Sequence, residues 1–204
     1  TGLSASYTNA GLSGGDVVTC VLTPNLPGCV AATYPSNTIT FVKSGNTTTW
    51  TGTAGNNWFT PSNWSNGLPD RFTSAVIPGG TPNGPAMASD ASVYDITIGN
   101  GATLTMSGSP ILYVYRNWTN NGTFVPATGT VDFVGCSSPS VINSSGAQTF
   151  YNLMINTPYG VTISSGNQQV SKLMTFVTGL VTQNATLTFL NGSAVSGATD
   201  NSHV

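Results

Sequence analysis

Short segments of alternating apolar and polar residues recur through the second half of the chain, separated by turns rich in Gly and Asn. Tyr94–Ile98 is followed by Leu104–Ser107, and the similar Tyr151–Ile155 is followed by Val161–Ser164. Both pairs keep one offset of 57 residues, and a fixed offset over several strands is typical of a repeat architecture. Chance similarity is the alternative, because any two alternating β-segments match easily.

The repeat predicts a parallel β-helix, a solenoid in which each coil buries its apolar side against the next. Units of about 57 residues, 94–150 and 151–204, exceed one coil and suit two or three coils of roughly 20 residues or more. An antiparallel β-sandwich built from the same strands is the alternative. The residues predicted to point inward are Ile96, Ile98, Leu104, Met106, Leu112 and Val114.

The scarcity of charge favours an all-β chain and narrows its partners. Only 5% of the residues are charged, the six acids are all Asp, and Glu is absent, whereas globular domains carry about 25% charged residues. Thr, Val, Tyr and Asn-Gly pairs favour strands and tight turns over helices. A net charge of −2 predicts no nucleic-acid partner. The lack of a long apolar run predicts no membrane insertion.

The first 43 residues predict an incomplete antiparallel sheet. Strands are expected at Ser4–Thr8, Asp16–Thr23 and Asn37–Lys43, about half of what an immunoglobulin-like sandwich requires. The missing strands are expected upstream in a longer polypeptide, or in a neighbouring identical subunit whose head-to-tail addition would build a filament. Residues 44–49 are predicted to be a polar linker, and the solenoid is predicted to occupy 50–204.

Three of the four tryptophans fall in one stretch rich in Gly, Asn and Pro, residues 50–69. The end of a solenoid must be closed, so this stretch is expected to be a cap. The alternative is a binding surface, because exposed aromatic faces stack on sugar rings. The candidate ligand-binding residues are Trp58, Trp64, Trp118, Tyr113 and Tyr115.

Two of the three cysteines flank a turn-rich loop that can bring their sulfurs together. Cys20 and Cys29 are therefore predicted to form a disulfide, which implies an oxidising, extracellular setting. Two buried thiols are the alternative. Cys136 is left over and is interpreted as a small buried hydrophobic residue.

Catalytic and metal-binding chemistry is not expected. Asp90 and Asp95 come nearest to a carboxylate pair, but isolated Asp residues commonly serve turns, so no catalytic residue is predicted. His203 is the only histidine and lies close to the end of the chain, where a triad or a zinc site is not expected. No metal site and no cofactor are predicted.

Two segments resemble parts of the same family of bacterial proteins. Leu12–Cys20, with Cys29 and Ser36–Thr40 after it, is similar to the last strands of Ig-like repeats in large secreted adhesins of the Bacteroidota. Thr49–Pro78 resembles the opening of β-solenoid segments in these cell-surface and gliding-motility-type proteins. Many of them are exported by type IX secretion, so the resemblance implies an extracellular chain at a bacterial surface.

These features predict a non-enzymatic extracellular module, structural or adhesive, that belongs to a surface protein, stalk or fibre. The alternative is a carbohydrate-binding or weak polysaccharide-lyase-like module that uses the Trp cluster. The expected partners are other segments of a longer chain, neighbouring identical subunits, or surface glycans.

Overall fold

The computed structural model describes residues 17–18, 21–22, 34–35, 39–40, 46–135 and 137–199. The chain divides into two compact units, Thr1–Ser44 and Gly45–Val204. This division falls beside the boundary predicted after residue 43. In the described residues, every regular element is a strand except a short 3-10 turn at Pro61–Asn63.

The first unit contains two short antiparallel pairs in its described residues. Its strands are β1 (Val17–Val18), β2 (Val21–Leu22), β3 (Tyr34–Pro35) and β4 (Ile39–Thr40). β1 pairs with β4, and β2 pairs with β3. The predicted strands Asp16–Thr23 and Asn37–Lys43 contain β1, β2 and β4. Ser4–Thr8, Cys20 and Cys29 lie outside the described residues, so the Ig-like assignment and the disulfide stay predictions.

The second unit is a parallel β-solenoid of about six coils. Its strands are β5 (Asn46–Thr49), β6 (Thr73–Ile77), β7 (Ala86–Met87), β8 (Ala91–Val93), β9 (Ile96–Ile98), β10 (Thr103–Met106), β11 (Ile111–Val114), β12 (Trp118–Asn120), β13 (Thr123–Val125), β14 (Thr130–Phe133), β15 (Ser140–Ser144), β16 (Ala147–Asn156), β17 (Val161–Ile163), β18 (Asn167–Thr178), β19 (Val181–Gln183), β20 (Thr186–Phe189) and β21 (Ala194–Ser196). The prediction of a parallel β-helix is confirmed, and the antiparallel sandwich is wrong for this unit.

Each coil passes through three strand positions. The first position stacks β5, β6, β9, β12, β15, β17 and β19, the second holds β7, β10 and β13, and the third holds β8, β11 and β14. The long strand β16 fills two positions, since its first half lies beside β13 and its second half pairs with β14. A register shift between Phe150 and Asn152 separates the halves. In the last coil, β20 and β21 pair with the first and second halves of β18.

The structural repeat is a single coil. Residues at one height of the first position are Ala75, Ile96, Trp118, Ile142, Ile163 and Gln183. A coil therefore takes 20 to 24 residues. The 57-residue offset instead relates Ile96, at the first position, to Leu153, at the third. Alternating strands resemble one another wherever they lie in a coil, so this offset does not mark the structural period.

The interior is built from the inward half of each strand. The six residues predicted to point inward are at most 2% exposed. In the third position, Leu112, Val131, Leu153 and Met174 stack in register as one apolar column. Full burial of each such side chain stabilises the fold by about 1.5–3 kcal/mol. The apolar side of each coil is thus buried against the other coils, without a helix packed on it.

The structure corrects the linker predicted at residues 44–49. Within it, β5 pairs in parallel with β6 and begins the first sheet. Thr48 is fully buried and donates its hydroxyl to the carbonyl oxygen of Gly67 at 2.9 Å. A polar run of Thr can enter a strand because its β-branched side chain suits the pleat and its hydroxyl finds a partner.

Candidate functional site

The Trp-rich stretch folds against the first coil. The backbone N–H of Trp50 donates to the carbonyl oxygen of Val76 at 2.8 Å, and the backbone N–H of Trp58 donates to the carbonyl oxygen of Ala86 at 3.0 Å. Trp64 lies between the other two indoles, with ring centroids 5.1 Å from Trp50 and 4.8 Å from Trp58 and edge-to-face geometry in both pairs. The three rings belong to the same apolar cluster as the interior, so they close its N-terminal end.

Asn63 holds this closing segment together from inside. It is fully buried. Its side-chain oxygen accepts the N–H of Ala54 at 2.7 Å, and its amide nitrogen donates to the carbonyl oxygen of Asn57 at 3.1 Å. Its own carbonyl oxygen accepts the N–H of Thr51 at 2.7 Å. Three separate parts of the stretch are thereby tied to one residue, two through its side chain and one through its backbone.

The fourth tryptophan lies in the middle of the solenoid. Trp118 is fully buried, packs edge-on against Phe124 and Phe150 at 4.9 and 5.4 Å, and donates its ring N–H to the Gln148 side-chain oxygen at 3.0 Å. Asn120 donates to the same oxygen at 2.7 Å. These bonds give the buried ring N–H of Trp118 and the amide nitrogen of Asn120 an acceptor, while the amide nitrogen of Gln148 has no partner among the described residues.

Burial corrects the proposal that the tryptophans stack on a ligand. Trp58, Trp64 and Trp118 are 1%, 4% and 0% exposed, so no indole face is open to a sugar ring. Tyr113 and Tyr115 differ, because both are half-buried: Tyr113 lies on the outer side of β11, and Tyr115 directly follows that strand. Of the five candidates, the two tyrosines alone present substantial surface.

Tyr113 borders a surface hollow of about 300 Å³. Besides Tyr113, the hollow is lined by Trp58, Phe59, Leu68, Pro69, Asp70, Asp90, Ala91 and Ser92. It therefore combines aromatic edges and carboxylates, a pairing that suits a polyhydroxylated or cationic ligand.

The two carboxylates of this hollow, Asp70 and Asp90, also accept hydrogen bonds from backbone N–H groups. Asp90 accepts the N–H of Ile111 at 2.8 Å. Asp70 accepts the N–H of Phe72 at 2.9 Å and the hydroxyl of Thr73 at 2.8 Å. Each bond uses the Oδ1 atom. The bonds of Asp70 order a local turn, the ordinary task of Asp in such positions, whereas the bond of Asp90 links neighbouring coils.

Asp95, the other member of the predicted carboxylate pair, is engaged elsewhere. Arg116 binds it through two bonds, Nε to Oδ1 at 2.8 Å and Nη2 to Oδ2 at 2.6 Å. Asp95 also accepts the N–H of Asn117 at 3.0 Å and the hydroxyl of Ser74 at 3.0 Å. This carboxylate joins neighbouring coils.

Asp132 is a buried acid that the sequence patterns do not predict. It is 4% exposed, and its Oδ1 has no hydrogen-bond partner among the described residues. Burial raises the pKa of its carboxyl from 3.8 to about 6, against a smaller lowering by a hydrogen bond from Asn156. In register, Asp132 lies between Tyr113 and Met154. Only the position of an acid inside the strand Val131-Asp132-Phe133 could have signalled it.

Tyr113 connects this buried acid to the hollow. Burial raises the pKa of the Tyr113 hydroxyl, and the nearby charges of Asp90 and then Asp132 raise it further. The phenol therefore stays protonated at neutral pH and can serve as a hydrogen-bond donor. It is not suited to act as a base.

In the described part of the chain, no three His, Cys, Asp or Glu side chains come together in a way that would hold a metal ion. His203 and the three cysteines lie outside that part. The same residues include no helix of the length and hydropathy that would cross a bilayer.

The fold and the closing segment define the class of the second unit: a parallel β-solenoid whose N-terminal end is sealed by buried indole rings. Comparison of the chain with family models, with curated proteins and with solved structures gave no match.

Proposed function

We propose that this chain is a non-enzymatic extracellular module, structural or adhesive, of a bacterial surface protein. One observation carries the proposal: Trp58 and Trp64, well suited by chemistry to bind a ligand, are buried where they close the solenoid. The acids support it, because Asp90 and Asp95 bind backbone N–H groups. A weakly charged polar outside over an apolar stack suits a spacer or fibre segment.

The proposed setting is the outer surface of a bacterial cell. The resemblance of two segments to secreted Bacteroidota adhesins supports this setting. The proposed partners are other segments of a longer chain or identical subunits that complete the sheet of the first unit.

A carbohydrate-binding module is the second candidate, and the hollow beside Tyr113 favours it. Phe59 and Tyr113 contribute aromatic surface, and Asp70 and Asp90 contribute acceptors for sugar hydroxyls. This version places the ligand on the hollow and not on the tryptophans.

Binding and cleavage assays on the whole chain separate the two candidates. The leading proposal expects beads coated with the chain to adhere to cells or to one another, no cleavage of polysaccharides, and the same adhesion for Tyr113→Ala. The matched control is Tyr159→Ala, which alters a tyrosine that is 52% exposed and does not line the hollow.

Saturable binding on a glycan array that Tyr113→Ala abolishes and Tyr159→Ala retains would replace the leading proposal with the second candidate. Cleavage of a polysaccharide that is lost in Asp90→Asn would overturn the non-enzymatic assignment itself.

A further inference from the structure

At the second strand position, two neighbouring coils lie side by side without pairing. Counted from β6, the third coil holds β12, β13 and β14, and the fourth holds β15 and β16. The two coils pair at the first position, through β12 and β15, and at the third, through β14 and β16. At the second position, β13 pairs back to β10, and the first half of β16 pairs forward to β18. Among the described residues, no ladder joins β13 to β16.

This interruption coincides with a change in the shape of the coils. In the first three coils, separate strands joined by a loop form the corner between the second and third positions; in the third coil the loop is residues 126–129. In the fourth and fifth coils, the continuous strands β16 and β18 run through this corner. The unpaired place therefore lies where the looped coils meet the continuous ones.

A surface slit of about 230 Å³ marks the interruption. It is lined by uncharged residues of both coils, with Thr123 and Phe124 on one side and Ala147 and Thr149 on the other. A polar cavity of this size has room for several water molecules. The sides of the slit can therefore stay hydrated whether the two coils lie closer together or further apart.

Side chains join the two coils across the slit. Gln148 of the fourth coil accepts the ring N–H of Trp118 at 3.0 Å and the amide N–H of Asn120 at 2.7 Å, both from the third coil. Phe150 packs against Trp118 and Phe124, with ring centroids 5.4 and 6.0 Å apart. The amide nitrogen of Gln148 is buried without a partner among the described residues. That lost hydrogen bond lowers the stability of the closed slit.

The backbone bonds at the two ends of the slit are longer than their counterparts one coil earlier. The backbone N–H of Ser145 donates to the third coil at 3.1 Å, and that of Asn152 donates at 3.2 Å. At the same two corners one coil earlier, the N–H groups of Asn121 and Thr130 donate at 2.8 and 2.9 Å. The third and fourth coils are therefore held less closely here than the second and third.

We propose that the solenoid consists of two folded blocks, residues 46–133 and 140–199, which are joined by a hinge at this slit. The corner between the third and first positions is the axis of the hinge, and the second position opens and closes. Gln148 keeps the slit closed, because its bonds to Trp118 and Asn120 must break before the coils separate. Opening bends the solenoid while both blocks stay folded.

Amide hydrogen exchange of the whole chain, followed by NMR, tests the hinge. After correction for intrinsic rates, the N–H groups of Ser145 and Asn152 should exchange at least tenfold faster than those of Asn121 and Thr130. The comparison is matched, because Ser145 and Asn121 are both exposed and Asn152 and Thr130 are both half-buried. The amides of β10 and of the first half of β18 should keep the protection of folded strands, since each is paired on both sides.

A substitution of Gln148 tests what keeps the slit closed. Gln148→Ala removes the acceptor of Trp118 and Asn120, so exchange at the two ends of the slit should rise at least tenfold further while β10 stays protected. Thr149→Ala is the matched control. Thr149 also lines the slit, but its hydroxyl donates to Gln169 of the fifth coil at 3.0 Å, a bond within one block. This variant should exchange like the parent.

The parent chain decides the proposal even if Gln148→Ala does not fold. Equal protection of the two pairs of amides would overturn the hinge. Loss of protection throughout the fourth coil would also overturn it, because that result indicates local unfolding. If Gln148→Ala folds and exchanges like the parent, or if Thr149→Ala has the same effect, bonds across the slit do not keep it closed and the proposal fails.

Discussion

At the residue scale, Asp132 is a buried carboxylate whose ionisation lowers the stability of the fold. It stands in a strand between two inward residues, Val131 and Phe133, and should therefore face water, yet it is 4% exposed with an unpaired oxygen. An ionised carboxylate in such a place loses hydration without full replacement by hydrogen bonds. The raised pKa of this group follows from that loss.

The pKa of Asp132 sets a pH dependence that Asp132→Asn should remove. The folded pKa of about 6 exceeds the ordinary value of 3.8, so the folded state holds its proton more tightly than the unfolded state does. Below about pH 4 both states are protonated and the group costs nothing. Between about pH 4 and 6 its cost in folding stability grows as pH rises, and above that range the cost is constant.

Urea unfolding from acidic to neutral pH measures this effect. Asp132→Asn should be more stable than the parent at neutral pH by on the order of 2 kcal/mol, and the difference should shrink towards pH 4. The hydroxyl of Tyr113 also lies near this group, and it is unchanged in the variant. Stability curves that run parallel across this range would contradict the assignment of the pKa.

The burial of individual residues could be predicted from the sequence only where the alternation of apolar and polar residues decides whether a side chain points inward or outward. Ile96 and Leu112 fall on the apolar side of clear strands, and both are buried. The environment of Trp118 depends on Phe150 and Gln148 in the next coil, a contact that no local pattern encodes. Asp132 sits at an outward position whose burial depends on neighbouring coils in the same way.

At the scale of elements, the turns between the first two strand positions stack as closely as the strands do. Gly122 lies in the turn between β12 and β13, directly against the turn one coil earlier. A Cβ added there would overlap the carbonyl oxygens of Gly99 and Ala102. Because these are backbone atoms, the turns would have to move apart.

Gly122→Ala should therefore destabilise the solenoid by about 1–3 kcal/mol, the usual cost of forcing atoms into a packed site. Gly146→Ala is the matched control. Gly146 precedes β16 in the corresponding turn of the next coil, and a Cβ there meets no atom within 4 Å. Thermal unfolding of both variants compares them directly, and equal losses would show that steric contact between turns is not the cause.

The elements themselves were only partly predictable. Asn46–Thr49 is polar throughout, and its entry into the first sheet depends on a partner strand, β6, more than twenty residues later. The 57-residue offset paired strands of different positions for a related reason. An alternating pattern predicts that a segment is a strand, but it does not indicate which of the three strand positions the segment occupies.

At the scale of the whole molecule, the all-β class of fold could be predicted from the turn residues and the scarcity of charge. Which aromatic residues would be buried at the two ends of the solenoid could not. The tryptophans at the first end and Phe189 at the other are all aromatic residues. Only the stacking order of the coils decides that the first are sealed and that Phe189 meets water.

The parallel stacking of coils also fixes how the solenoid would respond to tension. The ladder hydrogen bonds run along its axis, so a pull between the two ends loads successive coils in series, and the weakest coil peels first. A folded coil adds about 4.8 Å of length, whereas its 20 to 24 residues extend to roughly 70–80 Å. Single-molecule stretching should accordingly give steps of about that size in place of one rupture. A tether built this way would lengthen more than tenfold, yielding coil by coil, before any covalent bond carried the load.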